Sequence, residues 1–468
     1  MVKSIGIVIL AAGKGTRMKT DVPKALALCA GKPLLDFVVE AAFSFARESS
    51  LKAEVGVVIG HRKELLENWW QTHPQKVNMK LAWQREQKGT ADALKACFED
   101  LPHFWNYDYT LVACADTPLI SAQEFNQLFE ILKTQDELQG VAASFETAQP
   151  TGYGRIVHGK SGFNIVEEKD TTESERLINE VNSGFYILKT SHVKSLLNQI
   201  DNKNKSGEFY LTDLFKQHFN VKAVKFESEL PFLGVNTLEQ LAKVDTVIRS
   251  KKIKALMIEG VRFLDPDHCY MDCDVQIGVG SIVYPGCTFL GKTRIEQNVL
   301  IESNTFIKNS IIKSGAEILA SSYLEEAIVH DGATIGPMAR LRPGADIGPE
   351  AKIGNFVEVK KSKLSRGAKV SHLSYIGDAE IGENSNIGCG FITCNYDGAN
   401  KHKTKIGSNT FIGSDCQAVA PIEIGNDAFV AAGSTITKNI PDGGFGIARS
   451  QQTTKEGAAK RFLKSKKG

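Results

Sequence analysis

The sequence predicts two folded halves: an α/β domain with a mostly parallel sheet, then a parallel β-helix of hexapeptide repeats, joined by a linker helix. Three observations carry that prediction. Residues 1–236 alternate short β-rich runs with longer helical patterns, which describes a sheet covered by helices on both faces. From Leu238 the apolar spacing becomes helical. After Gly260 an apolar residue recurs every six positions, and glycine follows it repeatedly, the mark of a stacked-coil solenoid.

Composition sets the outer limits. The chain has 468 residues, 42% apolar and 24% charged, a globular composition that excludes wholesale disorder. Its 56 Lys and Arg against 54 Asp and Glu leave a net charge of +2. That balance gives no reason to expect nucleic acid or an anionic membrane surface as partner. No run approaches the ~18 apolar residues that a membrane span needs. Lys3 followed by the apolar residues 5–12 imitates a signal peptide, yet Gly13-Lys14-Gly15-Thr16-Arg17 follows at once, and a buried first strand is the better reading. Nine cysteines at irregular spacing suit the reduced thiols of a cytoplasmic protein. Cys269 and Cys273 beside His268 have no second pair to complete a metal site.

The elements follow in order. Residues 5–10, 54–59, 109–114, 140–145 and 184–188 read as strands, and residues 34–47 and 91–99 as helices between them. In such sheets ligands bind beyond the carboxyl ends of the strands. Leu238, Leu241, Val244, Val247 and Ile248 fall on one helical stripe with Thr237 as N-cap, giving a linker helix over residues 237–260. Ile277, Val283, Phe289, Ile295, Ile301 and Ile307 then step by six. After a slip the series continues through Val329, Ile335, Leu341, Ile347, Ile353 and Val359. Ile406, Ile412, Ala418, Ile424, Val430 and Ile436 resume it. Three hexapeptides make one triangular coil, and stacked coils share a core over residues 261–454. The break between Thr393 and Ile406 reads as a loop thrown out of the coil. Residues 455–468 are a lysine-rich, solvated tail.

Two constellations carry chemistry. The first is Leu10-Ala11-Ala12-Gly13-Lys14-Gly15-Thr16-Arg17, directly after the first strand. Glycines there allow close backbone approach, and amides in such a turn favour phosphate. The spacing is not that of a Walker A loop, and Met18 stands where a dinucleotide fingerprint needs its third glycine. A bare strand-to-helix turn accounts for Gly-x-Gly equally well. Arg17 and Lys24 are fixed cations able to neutralise a triphosphate and a departing pyrophosphate, or else two surface charges. The second constellation is Ser371-His372-Leu373-Ser374-Tyr375, with Arg342, Lys360 in Asn355-Phe356-Val357-Glu358-Val359-Lys360-Lys361, Asn386, and Asn395-Tyr396-Asp397-Gly398. A lone histidine is more often structural. Here two cations suit a sugar phosphate, and a neutral imidazole suits removal of a proton from an attacking amine.

The first constellation resembles the sugar-phosphate nucleotidyltransferases. Leu-Ala-Ala-Gly-x-Gly-Thr-Arg-Met with Pro-Lys matches their signature. Gln84 with Gln87-Lys88-Gly89-Thr90 is similar to their uracil-reading segment, and Asp116 in Ala115-Asp116-Thr117-Pro118-Leu119 to their metal aspartate. Thr151-Gly152-Tyr153-Gly154-Arg155, Glu167 with Glu168-Lys169-Asp170, Asn182 and Gly234-Val235-Asn236 follow in family order. With the second constellation, nearly the whole chain resembles the bacterial bifunctional N-acetylglucosamine-1-phosphate uridyltransferases and glucosamine-1-phosphate acetyltransferases. That resemblance implies a Rossmann-like nucleotidyltransferase domain and a left-handed coil. It implies UTP and UDP-N-acetylglucosamine contacts at Leu10, Ala11, Ala12, Gly13, Arg17, Lys24, Gln84, Gly89, Thr90, Cys114, Ala115, Asp116, Gly154, Glu167, Asn182 and Asn236. Glu167 and Asn182 would read the sugar hydroxyls and the N-acetyl group. Mg2+ would sit on Asp116 and Asn236, since it takes hard oxygen ligands and keeps several waters.

For the second half the resemblance implies acetyl transfer from acetyl-CoA, with His372 as general base. Arg342, Lys360, Tyr375 and Asn386 would hold glucosamine-1-phosphate. Cys389, Asn395, Tyr396, Ser414, Ala432 and Arg449 would line the acetyl-CoA site. It further implies a cytoplasmic homotrimer, without nucleic acid or membrane insertion, whose product feeds peptidoglycan and lipopolysaccharide synthesis. The chain departs from the family pattern at three places: Cys114-Ala115 replaces Tyr-Gly, Cys389 replaces alanine, and Ala458 stands where a tryptophan often follows Lys-Glu-Gly. Two rival readings are a single-activity sugar nucleotidyltransferase with a β-helix for assembly only, and a non-catalytic scaffold. The second constellation argues against the first rival, and retention of Asp116 and Lys24 against the second.

Overall fold

The apolar run near the start of the chain forms β1 (Ser4–Leu10), buried over residues 5–9 in the computed structural model. The structure describes residues 3–160, 162–216 and 219–463. Two compact units divide the chain, Met1–Ile248 and Arg249–Gly468.

In the first unit β2 (Lys52–Ile59), β3 (Met79–Trp83) and β4 (Tyr109–Cys114) join β1 in parallel. Alternation along β1 divides its side chains between two cores. Ile5, Ile7 and Ile9 pack with Leu35 and Val38 of α1 (Leu34–Glu48). On the other face Val8 packs with residues following α2 (Lys63–Thr72), namely Leu94, Cys97 and Phe98 of α3 (Thr90–Asp100). Phe125 and Phe129 of α4 (Ala122–Thr134) complete the first core. The sheet is therefore covered on both faces, as period-two burial on both sides requires.

The remaining strands are β5 (Gly140–Glu146), the hairpin β6 (Arg155–Gly159) and β7 (Gly162–Val166), β8 (Glu180–Lys189) and β9 (Val221–Phe226). Their order is β9–β5–β8–β4–β1–β2–β3, with the hairpin hung on β8. The sheet is mostly parallel, as expected; on its main path the exception is β8, which runs antiparallel to both β4 and β5. Apolar period does not encode strand direction, and the chain returns from the hairpin the opposite way. β8 is also longer than the expected residues 184–188. A register shift between Asn182 and Tyr186 splits it, with Gly184 in left-handed backbone at φ 82°.

A helix spans Leu238–Ile258 where the linker was expected, and the boundary between compact units falls inside it, after Ile248. Beyond it stand three flat parallel sheets of 11, 10 and 9 short strands, the faces of a left-handed parallel β-helix. All eighteen apolar residues of the expected series are buried, and they belong to one continuous core. Buried hydroxyls tie coil to coil: Ser281 Oγ donates to Glu296 O at 3.0 Å and accepts from Val299 N at 3.1 Å.

The slip has a physical cause. At one corner the step shrinks to five, from Ile307 to Ile312, Leu324 to Val329, Val359 to Leu364 and Ile376 to Ile381. Each shortened corner carries one residue in left-handed backbone: Asn309 (φ 48°), Glu326 (47°), Lys361 (45°) and Asp378 (49°). The expected extruded loop follows Thr393 and is closed by a bridge between Tyr396 and Lys401. Of the tail, residues 464–468 lie outside the described residues, while Phe462 and Leu463 are exposed. Among the described residues no helix is long and apolar enough to cross a membrane.

A shared core makes a sharp prediction. Ile335 is fully buried, and Ile328, on an outward position, is 37% exposed. Ile335→Ala should lower the unfolding free energy by about 3 kcal/mol, and Ile328→Ala by about 0.5 kcal/mol or less, in urea titrations. Equal losses would contradict the inward–outward alternation.

Candidate functional site

Parallel pairing sets Leu10 beside Cys114 at the carboxyl ends of β1 and β4. The loops beyond keep that pairing: Ala115 N donates to Leu10 O at 3.2 Å, and Ala11 N to Val58 O at 2.9 Å. Val235 N donates to Asp116 O at 2.8 Å, which carries Asn236 to the same place. Lys24, on a short turn after Pro23, then pairs with Asp116 Oδ2 and lies 3.0 Å from Asn236 Oδ1. Arg17 Nη2 donates to the same Asn236 oxygen at 2.9 Å. Four expected residues spread from position 17 to position 236 thus meet at one point. The Lys24 and Asp116 side chains are only 20% and 17% exposed, so their charges act with little screening. Two hard oxygens already share one cationic partner, which fits a divalent cation held between them. Among the described residues no group of three His, Cys, Asp or Glu could hold a metal alone. Phosphate oxygens and water would complete the coordination.

Beside this point opens a cavity of about 360 Å³, lined by Leu10, Ala11, Ala12, Gly13, Lys24, Gln84, Gly89, Thr90, Cys114, Ala115 and Asp116, all expected. Gln84 is 3% exposed, and its amide Nε2 donates to Gly89 O at 3.1 Å and Asp92 Oδ2 at 2.8 Å. Both amide hydrogens are spent, so Oε1 remains as an acceptor. Gly89 has φ 125° and packs against the Phe209 backbone, where a Cβ would lie 2.4 Å from Phe209 O. Phe209 N donates to Lys88 O at 2.8 Å, and Ala91 N to Phe209 O at 2.9 Å. Those bonds bring Glu208 into the cavity wall. Sequence reasoning missed Glu208, because its loop has no periodicity; only its spatial partner Gly89 marks it. The Cys114 thiol is pushed up to about 12, by burial first and by Asp116 next, so it stays neutral. Ala115 belongs to the core on the α1 and α4 face.

Five expected residues do not line this cavity: Arg17 and Asn236, which meet Lys24 beside it, and Gly154, Glu167 and Asn182. Asn182 N donates to Gly154 O at 2.9 Å, its Nδ2 donates to Tyr186 OH at 2.7 Å, and Gly184 N donates to its Oδ1 at 3.2 Å. Glu167 accepts from Thr212 Oγ1 at 3.1 Å and lines a separate depression of about 550 Å³ with Asp170, Tyr210 and Asp213. Burial raises the Glu167 carboxyl, with Asp170, Glu208 and Asp213 adding to the rise.

In the second unit His372 closes the strand Lys369–His372, and its Nδ1 lies 2.8 Å from Asn355 Oδ1. Arg342 Nη1 donates to Glu358 Oε1 at 2.8 Å. The Lys360 ammonium is lowered by contact with Lys401, Arg342 contributing. Neighbouring cations of this kind suit an anionic ligand, although Glu358 already pairs with Arg342. Lys401 was missed, since an extruded loop has no register from which to place it. The Tyr375 ring lies over Gly377, where a Cβ would come 2.5 Å from its hydroxyl. Asn386 aligns with Lys369 and Phe411 on neighbouring coils. Asn395 Nδ2 donates to Asp378 Oδ2 at 2.5 Å, while Tyr396 is 59% exposed. Cys389, Ser414, Ala432 and Arg449 descend one corner: Asp415 N donates to Cys389 O at 2.7 Å, Gly433 N to Ser414 O at 2.8 Å, and Arg449 Nη1 to Ala432 O at 2.7 Å.

Comparison with known proteins agrees with both halves. Residues 7–230 match the Nucleotidyl transferase family, and residues 403–438 the family Bacterial transferase hexapeptide (six repeats). The chain is 40% identical over 460 residues to Bifunctional protein GlmU of Geotalea uraniireducens, covering 97% of this chain and 98% of that one. It is 42% identical over 464 residues to the protein of that name from Caldanaerobacter subterraneus subsp. tengcongensis, covering 98% of each. For Clostridium botulinum the identity is 40% over 456 residues, covering 96% and 97%.

Gly89→Ala tests the cavity wall. A side chain at φ 125° facing the Phe209 backbone should cost at least about 1 kcal/mol of stability and displace the segment Gln84–Thr90. Urea denaturation and calorimetric titration with UTP would show lower stability together with weakened binding. Unchanged affinity would separate Gly89 from the nucleotide.

Proposed function

The chain belongs to the bifunctional GlmU protein family, and from that premise we propose that it makes UDP-N-acetylglucosamine by two transfers, one in each unit. The observation that carries this reading is the coexistence of two charge constellations in one chain: Arg17, Lys24, Asp116 and Asn236 in the first unit, and Arg342, Lys360 and Lys401 in the second.

Acetyl transfer comes first, in the β-helix. The phosphate of glucosamine-1-phosphate settles on Arg342, Lys360 and Lys401, with Tyr375 and Asn386 on the sugar. Acetyl-CoA runs along the corner of Cys389, Ser414, Ala432 and Arg449, with Asn395 and Tyr396 beside it. The amine lone pair attacks the thioester carbonyl, a C–N bond forms and the C–S bond breaks. His372 Nε2 takes the amine proton and returns it to the leaving thiolate. His372 and Tyr396 are exposed in a single chain. A homotrimer whose neighbouring coils face this corner would supply the missing walls.

Uridyl transfer follows in the first unit. Gln84 Oε1 accepts from the uracil imide, and Gly89 and Thr90 support the base. The N-acetyl sugar reaches Gly154, Glu167 and Asn182. Its phosphate oxygen attacks the α-phosphorus of UTP in line, and pyrophosphate departs. Lys24 and Arg17 neutralise the charge that builds on the phosphates, so alignment and electrostatics do the chemistry without a covalent intermediate. The hard oxygens of Asp116 and Asn236 suit Mg2+, which when bound supplies further neutralisation. UTP and acetyl-CoA are cytoplasmic metabolites, and we place the enzyme there, feeding peptidoglycan and lipopolysaccharide synthesis.

The two activities should separate by mutation. Asp116→Asn is expected to cut uridyl transfer more than ~100-fold and leave acetylation intact. His372→Ala should cut acetylation ~10²–10⁴-fold and leave uridyl transfer intact. Steady-state assays of each half-reaction read the result, and parallel loss of both in either variant would refute the assignment.

A further inference from the structure

We propose that Asn355 is the positioning residue of the acetyl-transfer site, its side-chain carbonyl fixing the tautomer and ring plane of His372. The inference rests on His372 being the base and goes beyond that reading to what makes it one.

Asn355 holds the segment at two points. Its Oδ1 lies 2.8 Å from His372 Nδ1, and its backbone carbonyl accepts from Leu373 N at 3.1 Å. An amide oxygen only accepts, so Nδ1 carries the ring hydrogen and the lone pair falls to Nε2. The ring is then oriented as well as tautomerically fixed. The requirement is an oxygen acceptor at this one position.

The backbone is built for this contact. Most coil strands have two or three residues, whereas Lys352–Asn355 and Lys369–His372 each have four. The extra length brings Asn355 into register with His372. Gly354 makes the approach possible: a Cβ there would lie 1.9 Å from Ser371 O. The next residues, Phe356 and Leu373, both turn away through left-handed backbone at φ 57° and 45°, so the two corners stack alike.

The coil itself does not demand an amide at this corner. Two residues after the buried Ile335, Ile387, Ile412 and Val430 stand Pro337, Cys389, Ser414 and Ala432. Those four side chains share no chemistry. Only beside His372 does the position carry a hydrogen-bonding amide.

The test uses the full-length protein and four substitutions. Asn355→Leu keeps the shape and removes the acceptor. Asn355→Asp keeps an acceptor in place. Asn355→Ser withdraws the acceptor without apolar bulk, and serves if the leucine variant fails to fold. His372→Gln is the control for the base. Acetylation kinetics are measured with glucosamine-1-phosphate and acetyl-CoA, with uridyl transfer as the check on folding. In Asn355→Leu and Asn355→Ser, kcat for acetylation should fall roughly 10- to 100-fold with both KM values unchanged. Asn355→Asp should recover most of the loss. An unchanged kcat in the leucine or serine variant, a rise in KM alone, or no recovery with aspartate would overturn the proposal. Full acetylation in His372→Gln would instead overturn the base assignment beneath it.

Discussion

Parallel strands paired in register are the constraint on which the rest of this molecule depends. In such pairing, equal positions on successive strands stand side by side, and all strands end at the same edge. In the first unit this lays the carboxyl ends of β1 and β4 together, Leu10 against Cys114, so the two loops that follow must share one crevice. In the second unit it turns chain positions into vertical columns. The inward column is the core. The corner two residues beyond it becomes the line of Asn355, His372, Cys389, Ser414 and Ala432. The family's two chemistries therefore use one geometric device, once as a sheet edge and once as a coil corner.

Charge is distributed to suit ligands rather than the empty fold. Lys360 and Lys401 crowd each other with Arg342 near by, a repulsion that a bound phosphate would relieve. Glu167 is pushed toward its neutral form by burial and by three neighbouring carboxylates. Lys24 shares Asp116 and Asn236, and an incoming triphosphate with its metal would draw all three into a new set of partners. Such tension between stability and binding is usual where function is served.

Much of this was legible in the sequence, for identifiable reasons. The six-residue step is dictated by coil geometry, so all eighteen expected inward residues are buried. Arg17, Lys24, Asp116 and Asn236 were found because their segments carry a recognisable signature, although nothing in the spacing foretold that one Asn236 oxygen would bind both cations. Strand direction was not legible: β8 has the same apolar pattern whichever way it runs. The five-residue corners at Asn309, Glu326, Lys361 and Asp378 were visible only as a slip, because left-handed backbone at non-glycine residues leaves no fixed residue type behind. Glu208 and Lys401 sit in loops that borrow their position from partners far along the chain. Asn355 lies five residues before Lys360, but its proposed role exists only through the register with His372.

The central claim is that both transfers occur on one chain in a fixed order. A coupled mass-spectrometric assay of the purified protein with glucosamine-1-phosphate, acetyl-CoA, UTP and Mg2+ addresses it directly. The account predicts N-acetylglucosamine-1-phosphate as a transient, followed by UDP-N-acetylglucosamine and pyrophosphate. Uridylation of supplied N-acetylglucosamine-1-phosphate with no acetylation of glucosamine-1-phosphate would contradict it, reducing the β-helix to an assembly element.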